Sequence, residues 1–236
     1  MLKQAARALD RLLFPRAATC LGCGDQSGCA QDWLCSSCTQ SLRGLWRGDM
    51  STPTSPPLSR LAYAYAYRGP VPGLVRALKY GSAGCLAGFM AADMARACAA
   101  LQLPQTPLAV PAPMHPRRER KRGYNQAELL CRELARMLGC PYAQALRKLR
   151  NTRQQARLDH EARTRNLEGS VGVCADVRGR VILLVDDVYT TGATMRVCAS
   201  ALLAAGAKSV YGLAYAGAGQ ARPASDLGKG LEPSPL

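Results

Sequence analysis

The chain has 236 residues, with 31 Lys/Arg against 16 Asp/Glu, a formal charge of +15 and 48% hydrophobic residues. That length holds one medium domain with its own core plus a small module, and no run reaches the roughly 18 apolar residues of a membrane-spanning helix. So positive a balance favours phosphate-rich partners and says nothing of the fold.

Residues 1–15 place Leu2, Ala6, Leu9, Leu12 and Leu13 at helical spacing, keep charges between them, and stop at Pro15. This is the pattern of a short amphipathic helix and not of a secretory signal. An organellar presequence would share it, but the cytoplasm is the default location. Eleven cysteines follow in two populations. Cys85, Cys98, Cys131, Cys140, Cys174 and Cys198 lie among apolar residues, as small buried hydrophobes do. The other five crowd the start of the chain as Cys20-x2-Cys23, Cys29 and Cys35-x2-Cys38.

Two CxxC pairs can each hold one edge of a tetrahedral Zn2+, giving a four-thiolate site. Their separation is shorter than the usual spacing. Disulfides are one alternative, opposed by the missing secretory signal; a redox pair is another, opposed by the nearness of the second pair. Cys29 can replace one of the four ligands. A zinc here is structural, because metal binding supplies folding free energy to a segment too short to fold alone. The module spans residues 1–48.

Residues 49–58, rich in Pro, Ser and Thr, read as a linker to the main domain at 59–216. Strict alternation over 61–67 puts Tyr63, Tyr65 and Tyr67 on one strand face. Arg68, Gly69 and Pro70 then turn the chain into a helix from 71 to about 79. A second helix is expected over 85–102, a short buried strand over 108–113, and a third helix over 125–138. Further strands are expected at 171–174, 181–185 and 209–215, with a helix over 193–205 closed by Gly206. Strands alternate with helices, so the fold class is α/β, with a mainly parallel sheet flanked by helices and a small N-terminal four-cysteine zinc module. Residues 217–236, rich in Gly, Pro and Ser, read as a disordered tail.

The most informative stretch is 181–194, VILLVDDVYTTGAT. Five apolar residues suit a parallel strand buried on both faces. The turn after it opens a helix whose first N–H groups can hold a phosphate. Asp186 and Asp187 stand where α/β sheets bind ligands. Side by side, they can accept hydrogen bonds from two neighbouring hydroxyls or help to position a divalent cation. Thr190, Thr191, Gly192, Ala193 and Thr194 would take a terminal phosphate, so a sugar with a vicinal diol and a 5-phosphate fits both halves. The run resembles the phosphoribosyl pyrophosphate (PRPP) motif of the type I phosphoribosyltransferases. A Walker B strand is the alternative, but it carries no such Thr/Gly turn, and no Walker A run accompanies it.

The cationic excess concentrates between 111 and 170, in two clusters. One leaves the expected strand through Pro111, Ala112 and Pro113 and runs by His115 to Arg122, Gly123, Tyr124, Asn125 and Gln126. The other carries Arg150, Thr152, Gln155, His160, Arg163 and Asn166. Arg forks match pyrophosphate oxygens, while nucleic-acid binding and simple hydration are the alternatives.

With the CxxC pairs, the tyrosine strand and the run Leu78, Lys79, Tyr80, Gly81, these motifs resemble the ComF family of type I phosphoribosyltransferase-like proteins over roughly 10–216. The resemblance implies a pyrophosphate loop at Pro111, Ala112, Pro113, Arg122, Gly123, Asn125 and Gln126, and a flexible loop carrying Arg150, Thr152, Gln155, Arg163 and Asn166. It implies a PRPP loop at 186–194 with Mg2+, and a link to DNA uptake and natural transformation through single-stranded DNA and other competence or DNA-processing proteins. Thr190 stands where purine-salvage members of the superfamily have an Asp, so that subgroup's base is missing. His115 reads as orienting its loop, and His160 is no evident substitute. Two functions follow as expectations: a phosphoribosyltransferase of unidentified acceptor and catalytic residue, or a non-catalytic single-strand-binding module that keeps the phosphate cradle.

Overall fold

In the computed structural model, residues 19–25, 33–54, 56–81, 83–149 and 170–218 are described. The expected N-terminal helix, Cys29, Arg150, Thr152, Gln155, His160, Arg163, Asn166 and the tail from 219 lie outside them.

Four strands run parallel: β2 (Arg60–Ala66), β3 (Leu108–Pro111), β6 (Val181–Tyr189) and β7 (Ser209–Gly217). With β1 (Ser51–Pro53) antiparallel at the edge, the sheet order is β1-β2-β7-β6-β3. β4 (Leu146–Lys148) and β5 (Val171–Val173) form a separate antiparallel pair on either side of residues 149–170. β6 is an inner strand between β7 and β3, and Val181 to Val185 are fully buried. Leu183 and Val185 face one core layer while Ile182 and Leu184 face the other, which is why this strand shows no polar alternation.

The first layer packs α2 (Val71–Tyr80), α3 (Ala83–Cys98) and α5 (Gln126–Leu138) on one side of the sheet. The second packs α6 (Ala193–Ala204) and the β4–β5 pair on the other. α6 closes at Ala205, with Gly206 following at φ 93°.

Several elements depart from the sequence expectation, among them β4, at residues where no strand was expected. The expected linker contains β1, whose register pairs Thr52 with Leu61. A helix α1 (Ser36–Gly44) follows Cys35, and α4 (Pro116–Arg122) occupies the cationic run. α4 buries no residue, so no apolar stripe betrays it. It is made locally, by Pro116 in the first turn, the His115 Nδ1 accepting from the Arg117 N–H at 3.2 Å, and Gly123 at φ 87°.

The three tyrosines also divide. Tyr63 belongs to the second layer, whereas Tyr65 joins the first, where its hydroxyl donates to Asp93 at 2.9 Å and its ring meets Trp46 and Tyr215, each at 5.3 Å. Ala64, Tyr65 and Ala66 all pack against the first layer, so the strict alternation expected over 61–67 ends after Tyr63.

The cysteine segment shares the first core layer. Cys20, Leu34, Cys35, Leu42 and Leu45 cluster with Leu74 and Leu78 of α2. Contact is close because a Cβ at Gly73 would lie 1.9 Å from the Leu21 carbonyl oxygen, and one at Gly22 would lie 2.7 Å from the Pro70 Cβ. Glycine is required on both sides of this crossing.

Candidate functional site

β6 does not stop at Val185 but continues through both acids to Tyr189, with Asp186 opposite Ala214 and Tyr189 opposite Gly217 in β7. Successive side chains in a strand point to opposite faces. The acids therefore are not side by side on one face, as expected from the sequence. Asp187 turns to the first layer, where it is buried and its Oδ2 lies 2.7 Å from Lys79 Nζ at the end of α2. Asp186 lies on the α6 side, half-buried, and its Oδ1 accepts from the Asp187 N–H at 2.8 Å. Burial, then the charge of Asp187, hold the Asp186 carboxyl well above the usual carboxylate range. Across the layer, burial and then the charge of Asp186 push the Cys198 thiol up to about 12.

Beyond the acids the backbone makes a cradle. Gly192, the N-cap residue of α6, sits in the left-handed region at φ 73° and has no side chain with which to cap the helix. Thr190, Thr191 and Thr194 are exposed, Gly192 is buried and Ala193 half-buried. Thr191 Oγ1 lies 3.4 Å from the Ala193 N–H that it accepts, and Arg196 donates to the Thr191 carbonyl at 3.0 Å. A Cβ at Gly192 would fall 2.4 Å from the Tyr189 hydroxyl, so only glycine lets the turn close under that ring. An uncapped helix start with a Thr/Gly turn before it is a place where a phosphate satisfies free N–H groups.

The Pro-Ala-Pro segment arrives at the same edge. Pro111 pairs with Val185, and the Ala112 N–H donates to the Val185 carbonyl at 2.8 Å, which sets Ala112 beside Asp186. Ala112 in turn accepts from Asn125 Nδ2 at 3.0 Å, while Asn125 Oδ1 caps α5 through the Ala127 N–H at 3.1 Å. Asn125 and Gln126 are buried and hold this loop from inside; Arg122 donates to Gln126. The Tyr124 hydroxyl donates to the Leu78 carbonyl at 2.7 Å, tying the segment to the end of α2. His115 serves as the cap of α4.

Between these pieces lies a cleft of about 550 Å³, lined by Lys79, Tyr80, Arg118, Lys121, Arg122 and Tyr124. Lys79 thus reaches the acidic strand end and the cationic cleft at once. In the sequence, Lys79 stands out only as part of a motif, and Arg118 and Lys121 only as members of the cationic run before Gly123. Residue type and spacing carry no signal for the Lys79–Asp187 pair, since that contact joins the end of α2 to β6.

At the other end of the chain, the Sγ atoms of Cys20, Cys23, Cys35 and Cys38 all lie within 4.8 Å of one another. Four sulfurs at the usual zinc distance of about 2.3 Å would be about 3.8 Å apart at tetrahedral edges. Cys23 and Cys35 are 3.8 Å apart. The backbone supports thiolates as well: Cys20 Sγ accepts from the N–H of Gly22 at 3.4 Å and of Cys35 at 3.3 Å, and Cys35 Sγ from that of Cys38 at 3.5 Å. Burial opposes ionisation of Cys20, but the N–H groups of Cys35, Cys23 and Gly22 together outweigh it and bring the thiol down to about 6. The donor set fits a structural zinc. Among the described residues, no helix is long and apolar enough to cross a membrane.

The family model described as Phosphoribosyl transferase domain matches residues 124–226. The chain is 34% identical over 197 residues to the DNA utilization protein YhgH of Salmonella typhi, an alignment covering 75% of this chain and 87% of that protein. It is 32% identical over 134 residues to Competence protein F of Haemophilus influenzae, covering 54% of this chain and 58% of the other. To Competence protein ComFC of Bacillus subtilis it is 35% identical over 103 residues, covering 41% and 38%.

Proposed function

This chain belongs to the ComF family, and on that premise we propose that it binds phosphoribosyl pyrophosphate with Mg2+ and acts in DNA uptake and natural transformation. The observation that carries the reading is the glycine N-cap of α6, which supplies no capping side chain, directly after two carboxylates at a parallel strand's end. In this reading the 5-phosphate sits on Thr190, Thr191, Gly192, Ala193 and Thr194. The diol is gripped over the end of β6, by Asp186 from one face and Asp187 from the other. Arg122, fixed by Gln126, faces the pyrophosphate, and the loop with Arg150, Thr152, Gln155, Arg163 and Asn166 adds cations to it. Mg2+ would neutralise the pyrophosphate's charge beside these carboxylates. The Cys20, Cys23, Cys35 and Cys38 cluster holds one structural Zn2+.

As chemistry, such a site positions the anomeric carbon and stabilises departing pyrophosphate; positioning and preorganised cations do most of the work in that kind of displacement. Thr190 offers no carboxylate to activate an acceptor, and binding is therefore the firmer half of the reading. Calorimetric titration of PRPP with Mg2+ into the wild-type chain and into Asp186→Ala/Asp187→Ala tests it. The variant is expected to bind at least about ten-fold more weakly, as loss of charge-assisted hydrogen bonds requires; equal affinity would overturn the site. Pyrophosphate release on adding bases or single-stranded DNA separates a transferase from a binding module. The cationic cleft favours a second reading, in which single-stranded DNA is the partner and turnover is absent.

A further inference from the structure

We infer that the cleft between α2 and α4 is a binding site for single-stranded nucleic acid, with Tyr80 as the stacking surface for one base and Arg118, Lys121 and Arg122 as phosphate contacts. This rests on the DNA-handling half of the proposed function and assigns it a place. Every charged side chain lining the cleft is a cation. Lys79 is paired with Asp187, whereas Arg118, Lys121 and Arg122 form no salt bridge among the described residues. Three cations with no opposing carboxylate are a phosphate-binding surface.

A pyrophosphate would use those cations but has no use for an aromatic ring. Tyr80 is 76% exposed, the most exposed large apolar side chain among the described residues. It contributes nothing to the core layer that Leu74 and Leu78 of the same helix fill. Its ring is nevertheless held. The Arg122 guanidinium lies 5.1 Å from the ring centroid, and the Tyr124–Leu78 hydrogen bond fixes the backbone two residues earlier. Arg122 against one face leaves the other for a flat partner. A ring fixed beside a row of cations is the arrangement that binds single strands without base selectivity, by stacking plus backbone charge.

The test is fluorescence anisotropy of labelled dT20 and rU20 with the full chain, titrated across salt. Tyr80→Ala is expected to weaken binding about ten-fold, while Tyr80→Trp and Tyr80→Phe retain it. An abasic 20-mer should bind the wild-type chain about as weakly as dT20 binds Tyr80→Ala, and Tyr80→Ala should not distinguish the two strands. Arg118→Ala/Lys121→Ala should lower the salt slope by about 1.4, at about 0.7 per lost contact on a single strand. Equal binding of dT20 and rU20 supports phosphodiester-and-base recognition; a preference for one is assigned to the sugar when dU20 binds unlike rU20 and to the thymine methyl when dU20 binds unlike dT20. Unchanged affinity in Tyr80→Ala, with wild-type binding intact, overturns this site and leaves the DNA role standing. Absence of strand binding by the wild-type chain overturns both. The PRPP titration contains no nucleic acid, so the phosphoribosyl reading fails or survives separately.

Discussion

The cysteine knuckle and the turn before α6 use the same backbone device to opposite ends. In the knuckle, the N–H groups of Gly22, Cys35 and Cys38 point at sulfur atoms of Cys20 and Cys35 in the same segment. Before α6, the N-cap is Gly192, which has no side chain, and only the long 3.4 Å contact from Thr191 Oγ1 meets the first N–H. Both arrangements favour negative charge. The first is satisfied from within, so the charge it stabilises serves only to hold a metal and the fold around it. The second is left for something that arrives. A nest filled by its own chain is architecture; a nest left open is a site.

The largest expected effect breaks the architectural half of this contrast. Cys35 is buried, accepts the Cys38 N–H, and lies 3.8 Å from Cys23. Cys35→Ser should lose the zinc, and with it binding free energy on the order of 10 kcal/mol that folds the segment. Elemental analysis should fall from about one zinc per chain to none, and thermal unfolding should show the loss of cooperativity spreading into α2 through the Leu21–Gly73 contact. A variant that kept the wild-type melting profile without metal would show that the shared core, not zinc, holds the knuckle.

The open nest is tested by filling it. In Gly192→Ala the new Cβ meets the Tyr189 ring and the backbone must keep φ 73°. Strain at such a position costs about 1–3 kcal/mol, measurable by urea unfolding. PRPP affinity should fall by more than stability does, because the turn must open to relieve the clash. Full affinity in this variant would mean that the phosphate does not sit on this turn.

These two regions were unequally legible. The knuckle's cluster was readable from the two CxxC pairs, whose four sulfurs the fold brings within 4.8 Å of one another. For the turn, the strand, the Thr/Gly run and the helix were readable, because VILLV is buried on both faces and nothing in 193–205 interrupts a helix. The direction of the acids was not. A reading that ended the strand at Val185 set Asp186 and Asp187 side by side, and only the pairing of Asp186 with Ala214 and Tyr189 with Gly217 shows that the strand continues and divides them. The Lys79–Asp187 pair was equally hidden, as long-range ion pairs leave no local pattern. α4 was missed for the converse reason: its structure is entirely local, in caps and a proline, with no buried face to impose a period.

The smallest effect sharpens the contrast by its sign. Burial and the Asp187 charge raise the Asp186 carboxyl well above its unfolded range. The folded chain then keeps a proton that the unfolded chain releases, so stability is lost as pH rises from the unfolded value toward the folded one. Asp186→Asn removes that cost. Urea unfolding at pH 8 should find the variant more stable than wild type, with a higher urea midpoint. The advantage should shrink as pH falls and vanish well below the unfolded Asp value of about 3.9, at about pH 3, where both states of wild type hold the proton. The same substitution should weaken PRPP binding, because the amide cannot accept from a hydroxyl with a full charge. Stability gained while affinity is lost is what a carboxylate kept for a ligand predicts. A variant that is less stable at pH 8 would instead make Asp186 a structural residue, satisfied by the Asp187 N–H much as the knuckle's sulfurs are satisfied by theirs.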